Sequence, residues 1–82
     1  MNSNDALKEI QALLGRMGKR NVTLDTDLTK ESILDSIEMI DFIVAIQKRF
    51  GIKISEREIF SKELYKIANM VAFLSTVDQK DK

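Results

Sequence analysis

The chain has no cysteine and no histidine. Without cysteine, neither a disulfide framework nor a thiolate metal site can hold the fold, and a packed core has to do so alone. Without histidine, the commonest metal ligand and the usual general base are both missing. Proline is absent and glycine occurs only three times in 82 residues, so little in the sequence interrupts a helix. An excess of either charge is lacking as well: 13 basic and 13 acidic residues cancel, which leaves no overall field to draw the chain to nucleic acid or anionic lipid. No apolar run approaches the roughly 18 residues of a membrane span, and the N-terminus lacks the charged-then-apolar layout of a signal peptide. A soluble, cytoplasmic protein without stable membrane insertion is the expectation.

Apolar residues make up 44% of the chain and charged residues 32%, a globular composition, and the length has room for one domain over residues 1–82. Leu7, Ile10, Leu14 and Met17 recur at helical spacing, with Ser3 and Asn4 as caps and Gly18 beyond, which predicts a first helix over about residues 4–17. From Lys19 to Leu34 the period fades into residues that compete with helix through their own side-chain hydrogen bonds. This long loop is pinned to the core in expectation by Val22, Leu24, Leu28, Ile33 and Leu34.

The second helix, about residues 36–50, has the clearest ends: Asp35 caps, Glu38 completes a capping box three residues on, and Gly51 terminates. Ile37, Ile40, Ile43, Val44 and Phe50 form its expected buried stripe. Met39, Phe42 and Ile46 widen the apolar surface, so this helix is either central or keeps an apolar patch for a partner. Ile52 and Ile54 have no second strand-like run to pair with and read as core plugs. Ser55 and Glu58 open a short third helix over about residues 56–60. Leu64, Ile67, Met70, Val71 and Leu74 make a fourth over about residues 62–75, capped by Ser61, ahead of a polar tail at 77–82. The fold class is all-α: a small four-helix bundle, three main helices and a short third one, with a long loop between the first and second helices.

That architecture fixes no function. The informative stretch is Ile33-Leu34-Asp35-Ser36-Ile37-Glu38-Met39-Ile40, an Asp-Ser pair followed by an apolar residue that opens the second helix after a long loop. It resembles the phosphopantetheine attachment motif of acyl carrier proteins, and the resemblance runs on through Phe42-Ile43-Val44-Ala45-Ile46 to Phe50-Gly51-Ile52-Lys53-Ile54. It implies a carrier and not an enzyme, with 4'-phosphopantetheine attached at Ser36 and Asp35 as part of the motif. It further implies acidic residues of this helix meeting basic patches of partner enzymes, with Ile37, Glu38, Met39 and Asp41 as the recognition positions. The partners implied are a phosphopantetheinyl transferase, an acyl- or aminoacyl-loading ligase and acyl-transferring enzymes, visited by a monomeric carrier.

Other readings of the same residues stand beside this one. Asp35 and Ser36 can simply start a helix, at a capping value of about 1 kcal/mol. Asp35, Glu38 and Asp41 do not all face one way, which makes them solvated charges in preference to a metal cluster. Met39 is either a partner contact or a core gap-filler. The family's usual glycine two residues before the Asp is Ile33, and the usual proline after Ile52–Ile54 is Ser55. The form Ile33-Leu34-Asp35-Ser36 is similar to that of D-alanyl carrier proteins and of carriers in specialised biosynthesis, so both acyl and aminoacyl cargoes stay open. An unmodified helical module that binds a protein partner is the remaining alternative.

Overall fold

The computed structural model describes residues 2–30 and 33–76. Four helices follow one another, α1 (Ser3–Arg16), α2 (Ser36–Phe50), α3 (Glu56–Ser61) and α4 (Ile67–Ser75), with no strand among the described residues. α1 packs against both α4 and α2. The tail expected at 77–82 lies outside the described residues.

The core is a single apolar cluster. Ala6, Ile10, Leu13 and Leu14 come from α1, Phe42, Ile43, Ile46 and Phe50 from α2, and Ile67, Met70, Val71 and Leu74 from α4. Each set recurs at three- and four-residue spacing, which puts it on one helix face. No polar or charged residue is buried among the described residues, so burial of apolar surface is opposed by little desolvation of polar groups.

Local chemistry sets most of the helix ends. α1 starts one residue earlier than its period suggests, because Asn2 is the cap: its side-chain oxygen accepts from the Asp5 amide at 2.8 Å, while Ser3 and Asn4 lie within the helix. α3 opens on the Ser55–Glu58 capping box. At the end of α2, Gly51 takes φ +66°, in the left-handed region, and its amide donates to the Gln47 carbonyl. A Cβ at Gly51 would meet nothing within 4 Å, so the obstacle there is backbone conformation and not space. Gly51→Ala is expected to cost about 1 kcal/mol, readable as a lower urea midpoint with unchanged helicity.

α4 departs most from its sequence pattern. It begins at Ile67, five residues later than the expected 62, and Ser61 is the last residue of α3 in place of a cap for α4. Between them the chain turns through Glu63 at φ +51°, with the Leu64 amide donating to the Ile59 carbonyl at 2.9 Å. The cap residue Lys66 offers no side-chain hydrogen bond to the helix start; its ammonium donates to the Glu63 carboxylate. Instead the long loop supplies the acceptors: the Ile67 amide donates to the Thr26 carbonyl at 2.9 Å and the Ala68 amide to the Leu24 carbonyl at 3.2 Å. Backbone amides that a helix start leaves unpaired are thus satisfied by a distant segment.

The same contacts fix the loop. The Leu28 amide donates to the Tyr65 carbonyl at 2.8 Å, beside an isolated antiparallel bridge between Asp27 and Lys66. The Gln11 side-chain amide donates to the Val22 carbonyl at 2.8 Å. Val22, Leu28 and Leu34 are buried and Ile33 is half-buried, but Leu24 is 47% exposed. Leu24 holds the loop by its carbonyl, not by its side chain. The Asp27 carboxyl lies below its ordinary range, chiefly because the Thr29 hydroxyl donates to it at 2.6 Å.

α2 also carries a correction. Ile43 and Phe50 are buried as its stripe requires, but Ile37, Ile40 and Val44 are exposed. The buried face is centred instead on Phe42, Ile43 and Ile46, and Ile52 beyond the helix is only half-buried. Apolar residues on several sides of α2 leave its phase open until α1 is packed against it.

Candidate functional site

Ser36 is the first residue of α2, and the residue before it organises the start of the helix. Asp35 is extended, and its carboxylate accepts from the Glu38 amide at 2.8 Å while the Asp35 amide donates to the Glu38 carboxylate at 3.1 Å. The second Glu38 oxygen lies 3.3 Å from the Lys19 ammonium, which ties the end of the α1 segment to the start of α2. Ser36 itself is exposed, and its hydroxyl makes no hydrogen bond among the described residues. The capping box therefore uses the side chains on either side of Ser36 and leaves its oxygen unengaged.

Ser36 stands at the rim of a cleft of about 560 Å³. One wall is α2, through Met39, Ile40, Ile43 and Val44; the other comes from Ile54, Ile59, Phe60 and Tyr65, with Thr29 and Glu56 as its polar margin. Ile40 and Val44 are exposed because this cleft is open, and Phe60 is 71% exposed beside it.

The expected site residues fall into two groups. Ser36, Asp35, Ile37 and Asp41 are exposed, with Ile37 at 71%. Glu38 and Met39 are half-buried and engaged: Glu38 in the cap and with Lys19, Met39 against the core and in the cleft wall. The far wall was not legible as part of a site. Ile59 and Phe60 are adjacent apolar residues on a six-residue helix with no buried side chain of its own, and that was the available signal.

The geometry fits a covalently attached phosphodiester arm. Of the first α2 amides, those of Glu38 and Met39 are taken by Asp35, through its carboxylate and its carbonyl, whereas none is paired with those of Ser36 and Ile37 among the described residues. An anion on the Ser36 oxygen would lie at the positive end of a 15-residue helix, beside those amides. Once bound, such an arm supplies the thiol that this cysteine-free chain lacks. Among the described residues no base is hydrogen-bonded to Ser36, so its hydroxyl is not set up as an activated nucleophile.

Comparison with known proteins agrees with this geometry. The family profile described as "Phosphopantetheine attachment site" matches residues 5–74, which takes in all of α2, α3 and the cleft. The chain is similar to a protein named "Acyl carrier protein" from Petrotoga mobilis (strain DSM 10674 / SJ95), at 29% identity over 80 residues that cover 94% of this chain and 92% of the relative. No solved structure matches it significantly. With the profile spanning the bundle from α1 to α4, the chain belongs to the phosphopantetheine attachment family that includes the acyl carrier proteins, whose members are carriers and not enzymes and bear 4'-phosphopantetheine covalently on a serine.

Proposed function

We propose that Ser36 is the attachment point and that the chain carries an acyl group as a thioester on the arm for enzymes of fatty-acid, polyketide or other specialised biosynthesis. The observation that carries this reading is the position of an exposed, capped serine at the rim of a cleft with mostly aliphatic and aromatic walls. Attachment joins the Ser36 oxygen to the phosphate of coenzyme A that bears the pantetheine. The pyrophosphate bond breaks, the adenosine bisphosphate leaves, and the hydroxyl proton passes to the transferase. The reading takes residues 1–82 as one carrier domain that works in the cytoplasm. Among the described residues, no helix is long and apolar enough to cross a membrane.

An alkyl cargo has somewhere to go in this structure. Each methylene moved from water into the cleft contributes up to about 0.8 kcal/mol. The phosphopantetheinylated protein, loaded with saturated acyl groups of increasing length, is expected to melt at progressively higher temperature until the cleft is filled. A D-alanyl cargo, or another short polar one, buries little and is expected to leave the melting temperature almost unchanged. A flat series would transfer the assignment to the aminoacyl alternative.

A further inference from the structure

Among the described residues, the ion pair between Lys19 and Glu38 is the one most withdrawn from solvent. Its side chains are 26% and 33% exposed, whereas each of the other pairs has a side chain at least 47% exposed. Solvent and salt therefore screen it least. Lys19 is placed by α1 and not by α2. Gly18 reverses the chain at φ +83°, and the Lys19 amide donates to the Leu14 carbonyl at 2.9 Å, which anchors the residue to the end of α1. Only the lysine side chain spans to α2.

The Glu38 carboxylate is engaged on both oxygens: one accepts from the Asp35 amide at 3.1 Å, and the other lies 3.3 Å from the Lys19 ammonium. A single carboxyl group thus separates that ammonium from the backbone of the residue before Ser36. Lys19 and Glu38 together are neutral, and Asp35 adds one negative charge. A phosphodiester on Ser36 adds a second, on the residue next to Asp35. The other ion-paired cations, Arg49, Lys62 and Lys66, are engaged by Glu9, Glu58 and Glu63, none of them in the first turn of α2. An ammonium has three donors on a flexible stem, and Lys19 makes one ion pair among the described residues, so it has capacity for a second anion.

We propose that Lys19 is the counter-ion of the attachment site, a positioning residue whose ammonium is shared between Glu38 and the phosphodiester of the arm. Its charge holds the base of the arm at the start of α2 and offsets the repulsion between the diester and the two carboxylates of the capping box. A lysine that served only to tie α1 to α2 would stabilise the unmodified and modified chains alike, whereas a counter-ion matters more once the diester is present. This rests on Ser36 being the attachment point.

The test compares melting temperatures of the full chain before and after modification with coenzyme A and an excess of phosphopantetheinyl transferase, with completion read by intact mass. For the unaltered chain the two are expected to agree closely. The modified form of Lys19→Gln is expected to melt about 1–6 °C below its own unmodified form at low salt, with the gap closing at high salt. Lys19→Arg keeps the charge and is expected to behave as the unaltered chain. Lys8→Gln, which removes an exposed lysine eleven residues earlier on α1, is expected to show no gap. The same change on modification in Lys19→Gln as in the unaltered chain, at low salt, overturns the proposal. If Lys19→Gln loses helicity, the unaltered chain decides: the NMR resonances of the Lys19 Cε methylene are expected to move on modification while those of Lys8 stay in place, and unmoved Lys19 resonances overturn the counter-ion role. Modification that persists in Ser36→Ala removes the attachment point instead, so the two failures are told apart by which variant produces them.

Discussion

Ser36→Ala is expected to abolish the mass increase produced by coenzyme A and a phosphopantetheinyl transferase, with helicity and urea midpoint close to those of the unaltered chain. Both halves of that result follow from the start of α2. The hydroxyl is exposed and without a hydrogen-bond partner among the described residues, so its removal leaves nothing unsatisfied. The capping box belongs to Asp35 and Glu38 and survives the substitution, and alanine is the best helix former at an interior or first-turn position. Asp35→Ala makes the useful contrast. It removes the acceptor of the Glu38 amide and is expected to cost about 1 kcal/mol through the lost cap, lowering stability while leaving the serine in place. Modification of the Ser36→Ala protein would show that another hydroxyl takes the arm and would undo the assignment of the cleft as its neighbour.

Much of this could be read before the fold, and the pattern of what could not is physical. The starts of α2 and α3 were legible because a capping box is built from residues three apart in sequence, Asp35 with Glu38 and Ser55 with Glu58. The end of α2 was legible because Gly51 is needed for a positive φ. The start of α4 was not, since its first amides are paired by the Thr26 and Leu24 carbonyls some forty residues earlier, and Lys66 gives no local sign of a cap. Nor was the phase of α2. With apolar residues at 37, 39, 40, 42, 43, 44 and 46, periodicity supports more than one buried face, and packing against α1 selects the one containing Phe42 and Ile46. Of the residues left over, Ile40 and Val44 line the cleft and Ile37 is exposed to solvent. The position of Asp35 and Ser36 at the start of α2 was legible from the motif, but the wall formed by Ile59, Phe60 and Tyr65 was not, because only the turn after α3 brings it opposite α2.

Ile54→Ala is expected to be the most destabilising of the substitutions considered, at about 2–5 kcal/mol from lost burial and the cavity left behind. For a domain of this size, with total stability of roughly 5–15 kcal/mol, that is a large share. Ile54 lies in the connection between α2 and α3, 7% exposed, within the core cluster. Two interactions hold it there and can be separated. Its side chain packs, and its amide donates to the Gln47 side-chain oxygen at 2.7 Å. Ile54→Val keeps the hydrogen bond and most of the burial and is expected to cost about 0.5–1.5 kcal/mol. Gln47→Ala keeps the side chain of Ile54 and removes the acceptor, at about 0.5–1.5 kcal/mol for a typical hydrogen bond. Packing thus dominates, and the ordering in urea melts should be Ile54→Ala well below the other two. Because Ile54 also lines the cleft beside Ile43 and Ile59, the alanine variant enlarges the space open to an alkyl cargo. If long-chain acyl groups occupy that space, they recover part of the lost stability, and the gain in melting temperature on acylation should be greater in Ile54→Ala than in the unaltered chain. A negligible shift of the unacylated alanine variant would mean that Ile54 is not packed between the helices, and the far wall of the cleft would have to be redrawn.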